Sequence, residues 1–354
     1  MQNETRKSGI EIGIYTFGDL GPDPQTGKTI GIQQRLQEVL ATAKLADEAG
    51  LDIFGVGEHH RLDYAVSSPA VVLAAVAQNT KRIKLSSATT VLSTIDPVRL
   101  FEDFATLDLL SNGRAEIIAG RGAFVESFPL FGYDLSDYDE LFEENIQLLQ
   151  QMNANEIVNW QGSFRSSLQN AMIAPRPAQE KLPIWIGVGG TPESAIRAGR
   201  LGTGLALAIL GGDPIRFKPL VDLYRQAGAE AGHSNEDLKV AVTGHTFIAK
   251  TSQQAKDEFY PYYSNYWGYV NKQRGMGTKI SRSDFEYMAS PETGLFVGSP
   301  QQIVEKILHQ HELFGHQRFI AQMDIGGLPF SKVAESIEML ATEVAPVVRR
   351  ETAK

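Results

Sequence analysis

The feature that most constrains the fold is a regular alternation of short apolar runs, rich in strand-forming residues, with longer segments of helical period. The runs are largely apolar along their whole length and lie at 10–17, 51–56, 83–91, 115–119, 184–188, 204–209, 240–249 and 319–324. Strands that are buried on both faces and separated by helices form parallel sheets. Because about eight such units follow one another, the pattern predicts an α/β protein with a (β/α)8 TIM-barrel fold in one domain, 1–354.

Two stretches break this alternation. Residues 153–182 are rich in polar residues and proline, and residues 260–299 are rich in tyrosine, glycine and serine. Both are predicted to be insertions, one after the fourth strand and one after the seventh. The aromatic run 260–267 in the second insertion fits either a packed surface helix or a substrate lid.

Composition narrows the class of function. The formal net charge of the 354 residues is −9, and there is no cysteine. Phosphate backbones are bound by basic surfaces, so this balance argues against a nucleic-acid partner. The missing cysteines exclude disulfides, thiolate metal sites and a catalytic thiol. With no signal-peptide pattern and no long apolar stretch, we expect a cytoplasmic protein that does not enter a membrane and acts on a small molecule.

The second predicted strand ends in Glu58, His59 and His60. The carboxyl ends of barrel strands form the catalytic mouth, and imidazole exchanges protons near neutral pH while a carboxylate fixes its tautomer. The cluster therefore predicts an active site. Two other interpretations are that these residues merely cap the strand, or that they bind a metal with His245 and Asp324 as distant partners, although the other strand ends carry no dense ligand set.

Glycine-containing turns follow the fourth and fifth predicted strands. The fourth strand ends in Gly120–Gly122, with Arg121 at its centre, and the fifth is followed by Gly187–Ser194, which opens a helix. An arginine fork matches a phosphate, and free N–H groups at a helix N-terminus attract anions. Thr191 fits an ordinary N-cap equally well. Together the two turns predict an anion site at the barrel mouth.

In these residues, their order and their spacing, the chain resembles the bacterial luciferase-like family of flavin-dependent monooxygenases and oxidoreductases. The likeness spans nearly the whole sequence, and its clearest segments are Gly57–His60, Asp96–Arg99, Leu107–Arg114, Gly120–Gly122, Val297–Gln302 and Glu343–Pro346. The resemblance implies a barrel that holds reduced FMN at its mouth and uses O2 to oxidise a small organic substrate. It also implies that a separate flavin reductase or NAD(P)H supplies the reduced FMN, and that the protein is a homodimer.

The resemblance also assigns roles to the histidine cluster. His59 matches the active-site histidine of the family and is expected to act as a general acid or base at the reacting oxygen. Glu58 and His60 are expected to orient it. In this family a non-proline cis peptide bond often lies under the flavin after the third strand, and the matching bond here joins Ala88 to Thr89.

By the same resemblance, the phosphate of the cofactor is bound by Arg121 and by the turn that contains Gly190, Thr191 and Ser194. Light-emitting members of the family carry a carboxylate in this turn, where the present chain has Gly189 and Gly190, so light emission is not expected. Some relatives use a deazaflavin. Arg121 does not separate the two cofactors, because both carry a phosphate, but the whole pattern favours FMN.

The sequence leaves alternatives for the class of function, for the place of four aromatic residues and for the surface of a dimer. A flavin-binding protein without turnover and a metal-dependent barrel hydrolase are the other functional interpretations. Tyr15, Phe17, Phe124 and Phe128 fit either an apolar wall for the substrate or ordinary core packing. The second and third barrel helices are the expected surface of a dimer.

Overall fold

The structure is a computed structural model that describes residues 9–122, 124–273 and 279–353. Its strands, within those ranges, are β1 (Glu11–Thr16), β2 (Ile53–Val56), β3 (Lys84–Ser87), β4 (Thr90–Val91), β5 (Ala115–Gly120), β6 (Ile157–Trp160), β7 (Leu168–Met172), β8 (Ile184–Val188), β9 (Gly204–Ala208), β10 (Val240–Ile248), β11 (Phe296–Gly298) and β12 (Arg318–Gln322).

The helices alternate with these strands. They are α1 (Ile32–Glu48), α2 (Pro69–Asn79), α3 (Pro97–Ser111), α4 (Ser127–Phe131), α5 (Tyr138–Ala154), α6 (Pro192–Arg200), α7 (Lys218–Glu230), α8 (Ser252–Gln273), α9 (Arg282–Met288), α10 (Pro300–Phe314), α11 (Phe330–Met339) and α12 (Ala345–Thr352). Two 3₁₀ turns at Leu135–Asp137 and Pro214–Phe217 and a π-helical turn at Leu340–Val344 complete the set. No helix in the described ranges is long and apolar enough to span a bilayer.

Eight parallel strands close into a barrel in the order β1, β2, β3, β5, β8, β9, β10 and β12. The ring is closed by the pairing of β12 with β1, in which Glu11 lies opposite Arg318. The predicted TIM-barrel fold is therefore confirmed, and each of the eight predicted runs contains one barrel strand. The third run is divided into β3 and β4 at the Ala88–Thr89 peptide bond, which is cis.

The two segments predicted as insertions differ in structure. Residues 153–182 contain β6 and β7, which pair as an antiparallel hairpin outside the barrel. In the second segment, residues 260–273 form the later part of α8, a helix that already begins at Ser252, and α9 and β11 follow. Residues 274–278 of this segment lie outside the described residues.

The inner face of the barrel is filled at its amino-terminal end. Side chains of one parity along each strand point inward, because successive residues of a strand face opposite sides. At this end the buried Arg318 guanidinium bonds to Glu116 at 2.6 and 3.1 Å and to Glu11 at 2.7 Å. It also lies 4.4 Å from the centre of the Trp185 ring. This ion-paired layer closes the bottom of the barrel.

The carboxyl-terminal end of the barrel is hollow because the inward positions there are small. They include Gly120 on β5, Gly187 on β8, and Ala206 and Ala208 on β9. A Cβ at Gly120 would lie 2.6 Å from the Thr89 hydroxyl, so a larger residue would collide with the wall. Small residues on several neighbouring strands thus leave open the space that a ligand needs.

Candidate active site

A cavity of about 480 Å³ opens at the carboxyl-terminal end of the barrel. This is the face at which active sites of the fold are found. Of the residues predicted from the sequence, the following line it: Glu58, His59, His60, Ala88, Thr89, Arg121, Gly189 and Thr191. The structure therefore brings the histidine cluster into one cavity with Arg121, Gly189 and Thr191, although these residues follow three different strands, β2, β5 and β8. The predicted Gly190 and Ser194 do not line this cavity.

His59 lies in an aromatic environment at one side of this cavity. Its ring stacks on Tyr64 with 4.0 Å between centroids, and Phe17 and Phe124 lie at 4.6 and 5.6 Å. Its Nδ1 is buried and has no hydrogen-bond partner among the described residues. The pKa of His59 is lowered to about 3, mainly because burial disfavours the imidazolium. The Asp63 carboxylate opposes this shift, and the Arg61 charge adds to it. At neutral pH His59 is an uncharged imidazole.

Glu58 has a different task from the one expected. Its Oε1 bonds to Nε2 of His60 at 2.8 Å, its Oε2 accepts the Val91 N–H at 3.0 Å, and its own N–H donates to the Thr89 carbonyl at 3.0 Å. The carboxylate therefore ties the end of β2 to the segment that carries the cis peptide bond, and it orients His60. The orientation of His59 comes from its aromatic neighbours.

The metal interpretation is not supported by how these side chains are arranged. Glu58 is bound to His60 and His59 is enclosed by rings, so the three do not converge on a point. Asp324 accepts a hydrogen bond from Thr16, and His245 packs against the edge of Tyr266. Within residues 9–122, 124–273 and 279–353 there is no group of three or more His, Asp or Glu side chains that could bind a metal.

Arg121 forms one half of the predicted anion site. Its Nη2 donates to Oγ1 of Thr191 at 3.4 Å, and its Nη1 forms an ion pair with the half-exposed carboxylate of Asp139. The guanidinium also lies 5.1 Å from the centre of the Tyr138 ring. These contacts hold Arg121 across the gap between β5 and β8. An anion bound there would share the guanidinium with Asp139 or replace it.

The amino terminus of α6 forms the other half. Thr191 occupies the N-cap position but its side chain caps no N–H of the helix, so its hydroxyl remains available to Arg121. Ser194 is 3% exposed, and its hydroxyl has no partner in the described part of the chain. A Cβ at Gly189 or Gly190 would point into open space. An unpaired buried hydroxyl, the positive end of the α6 dipole and an open glycine turn fit a phosphate.

Of the other residues that line the cavity, Gln322 was not identified from the sequence, His245 was considered only as a metal partner, and Tyr266 and Trp267 only as part of the aromatic run 260–267. Tyr266 and Trp267 reach the cavity from α8, while His245, within β10, and Gln322, at the end of β12, lie on its inner wall. The polar residues that interrupt the seventh apolar run were the sequence signal that His245 faces a cavity and not the core. Among the aromatic residues considered for the apolar wall, Tyr15, Phe17 and Phe124 line the cavity, whereas Phe128 is fully buried against Tyr138.

Comparison with solved structures supports the fold. Monooxygenase RslO1 from Streptomyces bottropensis superposes with a TM-score of 0.82 at 24% identity, covering 96% of this chain and 99% of that chain. The oxygenating constituent of 3,6-diketocamphane monooxygenase, from a plasmid of Pseudomonas putida and solved in complex with FMN, gives 0.75 at 20% identity over 96% and 98% of the two chains.

Comparison of sequences identifies the family. The chain is 24% identical to the oxygenase component of a flavin-dependent trigonelline monooxygenase from Acinetobacter baylyi, over 95% of each chain. It is 29% identical to an F420-dependent glucose-6-phosphate dehydrogenase from Amycolatopsis mediterranei, over 57% of this chain and 62% of that one. The family profile described as luciferase-like monooxygenase matches residues 10–317. The chain therefore belongs to the luciferase-like monooxygenase family.

Proposed function

We propose that this protein is a monooxygenase that uses reduced FMN and O2 to oxidise a small organic substrate. The main support for this proposal is that one cavity contains both an anion site, at Arg121 and the amino terminus of α6, and the neutral His59 among aromatic rings. The anion site meets what a flavin phosphate requires, and the aromatic surroundings of the histidine suit a reaction from which water must be excluded. The monooxygenase relatives and the FMN complex of a structural neighbour support the same choice.

The FMN phosphate would be bound by Arg121, Thr191 and Ser194, with the α6 amino terminus and the Gly189–Gly190 turn around it. A dianion at this place gains charge-assisted hydrogen bonds from the guanidinium and from the buried hydroxyl. Ala88 and Thr89 form the adjoining wall of the cavity. When bound, reduced flavin would supply the two electrons with which one oxygen atom of O2 enters the substrate and the other leaves as water.

His59 would act at the reacting oxygen as a neutral group. An uncharged imidazole holds one proton on one ring nitrogen and offers a lone pair on the other, so it can donate or accept a hydrogen bond. An anion bound beside it would raise its pKa from the low value of the free protein. Tyr64, Phe17 and Phe124 keep the ring in place and limit the access of water.

We further propose that a separate NAD(P)H-dependent flavin reductase supplies the reduced FMN in the cytoplasm. The sequence has no GxGxxG turn of a dinucleotide-binding fold. The trigonelline monooxygenase relative is itself named an oxygenase component, a name that implies a second component. The substrate and O2 would then meet the flavin in the cavity described above.

The protein is proposed to form a homodimer through α2 and α3. These neighbouring helices expose large apolar side chains that a monomer would leave in water: Val71 is 69% exposed, Leu109 47% and Leu110 52%. Apolar side chains on adjacent surface helices are typical of a subunit interface. The apolar surface of α2 and α3 would be covered by a second copy of the chain.

The F420-dependent relative favours a second candidate, an oxidoreductase that uses a deazaflavin. The phosphate site at Arg121 and Ser194 would serve either cofactor. Titration of the purified protein with FMN and with F420, followed by flavin fluorescence, decides between them. We expect FMN to bind with the lower Kd. Tighter binding of F420 would make the deazaflavin enzyme the correct assignment.

Activity is tested by supplying a flavin reductase, NADH and FMN, and by following O2 consumption and product formation over a panel of organic substrates. We expect substrate-dependent oxygenation, strongly reduced in His59→Ala. The matched control is His309→Ala, because His309 is exposed on α10. If FMN binds but no substrate is oxygenated, the protein is a flavin-binding protein without turnover.

A further inference from the structure

Two buried polar side chains stand side by side in the cavity without hydrogen-bond partners. His245 and Gln322 are register neighbours on β10 and β12, and each is 1% exposed. In the described part of the chain, neither the oxygen nor the nitrogen of the Gln322 amide has a partner, and neither has Nδ1 of His245. Buried amides and imidazoles in native proteins are almost always paired. A ligand that enters the cavity is the natural partner.

These two residues lie across the barrel from the phosphate site. Arg121 and Thr191 follow the fourth and fifth barrel strands, whereas His245 lies in the seventh and Gln322 ends the eighth. In a ring of eight strands the fifth and eighth positions stand on different sides of the mouth. Between Gln322 and His59 lies the first strand, with Tyr15 and Phe17. The polar pair therefore belongs to the half of the cavity that contains the candidate catalytic histidine.

The pair is uncharged. Burial alone lowers the pKa of His245 to about 4, so its imidazole is neutral at pH 7. The charged side chains in the described lining are already engaged. Glu58 bonds to His60, Arg121 pairs with Asp139, and Glu126 faces Arg61 at 3.4 Å. A charged group of a substrate near Gln322 would thus be buried without a counter-charge, which is costly.

Apolar surface surrounds the pair. Tyr266 lies with its ring edge-on to His245 at 5.6 Å between centroids, and Trp267 lies at 6.2 Å. Ile320 and Val270 complete this side of the cavity. A flat or cyclic hydrocarbon skeleton would fill such a space, and one neutral polar group would satisfy the amide.

Resting on the proposed function, we propose that the substrate is a neutral, largely apolar cyclic compound with one carbonyl or hydroxyl group, which is recognised by Gln322 and His245. The Gln322 amide can donate to a carbonyl oxygen, and the neutral imidazole can donate or accept as its tautomer requires. A substrate that lacks the polar group would leave the pair unsatisfied. Leaving these buried groups without hydrogen bonds costs free energy, so the protein should bind such a compound more weakly.

Four probes with one phenyl ring test this class: acetophenone, ethylbenzene, benzoate and 1-phenylethylamine. Each is titrated by calorimetry into the protein with the same saturating FMN in cell and syringe. We expect acetophenone to bind about tenfold more tightly than each of the others, the factor typical of one buried hydrogen bond. In Gln322→Leu we expect this preference to be lost, with ethylbenzene binding unchanged. Gln301→Leu, on the exposed face of α10, is the matched control.

The inference is overturned if acetophenone binds no better than ethylbenzene, or if benzoate or the amine binds best. It is also overturned if Gln322→Leu weakens FMN binding as much as acetophenone binding, because the pair would then serve the flavin. The comparison of the four probes on the unaltered protein needs no variant, so it decides even if Gln322→Leu does not fold. A failure of FMN to bind at all would instead contradict the proposed function.

Discussion

The imidazole of His59 stacks on the ring of Tyr64, with 4.0 Å between the ring centroids and 15° between the planes. Together with Phe17 and Phe124, this contact shields much of the His59 ring from water, and the resulting desolvation favours the uncharged imidazole. The aromatic neighbours therefore set the protonation state of the candidate catalytic residue.

We predict that His59 does not titrate between pH 5 and 8. Nuclear magnetic resonance of protein labelled with ¹³C-histidine, assigned with His59→Gln, measures this directly. In Tyr64→Ala, water reaches the imidazole and its pKa should rise toward 6.5, because the desolvation that lowers it is relieved. Tyr64→Phe keeps the stacked ring and is the control. A His59 signal that titrates near pH 6.5 in the unaltered protein would refute the neutral assignment.

Removal of the candidate phosphate ligands should weaken FMN binding selectively. Hydrogen bonds to a charged group are worth about 1.5–3 kcal/mol, so Arg121→Ala should raise the Kd for FMN by roughly 10- to 150-fold, and Ser194→Ala by less. Riboflavin has the same ring and lacks the phosphate. Its Kd, measured by fluorescence quenching, should be unchanged in both variants. Equal losses for the two ligands would show that the residues act on the fold and not on the phosphate.

Removing one partner from the ion-paired layer at the bottom of the barrel should lower the free energy of unfolding. Arg318→Met leaves the buried carboxylate of Glu116 with only its longer contact to Lys84 at 3.5 Å, and we predict a loss of about 3–5 kcal/mol in the free energy of unfolding. Urea denaturation measures it. The double variant Arg318→Met/Glu116→Gln should lose much less than the sum of the two single variants. Additive losses would contradict a direct coupling between the two side chains.

Acid should destabilise the protein partly through His316. Burial, with a contribution from the nearby His311, lowers the pKa of His316 from 6.5 to about 3 in the folded state. The unfolded chain then binds more protons between pH 6.5 and 3, so the stability contributed at neutral pH is lost as the pH falls through this window. Melting temperatures from pH 7 to 4 should fall less steeply in His316→Leu. The exposed His309→Leu should follow the unaltered protein, and equal slopes in all three would exclude His316 as a contributor.

The fold and a large part of the site could be predicted because each rests on a local pattern. Strands buried on both faces must be continuously apolar, so the eight barrel strands stood out as runs. The polar residues at the ends of such strands must lie at the mouth, which placed Glu58, His59 and Arg121 in one cavity. The roles of these residues in FMN binding and catalysis stay predictions that the experiments above address.

The strand and helix periodicity, the barrel and the polar residues at the strand ends could be read from the sequence, because each depends on residues that are neighbours along the chain. Three relationships become visible only in the folded barrel: Glu58 bonds to His60, aromatic rings surround His59, and Gln322 and His245 lie beside each other with no partner for the Gln322 amide or for Nδ1 of His245 among the described residues. Phe17, Phe124 and the Gln322–His245 pair come from distant parts of the sequence, and even the Glu58–His60 bond depends on how the chain turns at the end of β2. Burial, which sets their pKa values and leaves hydrogen bonds unsatisfied, exists only once the barrel has closed.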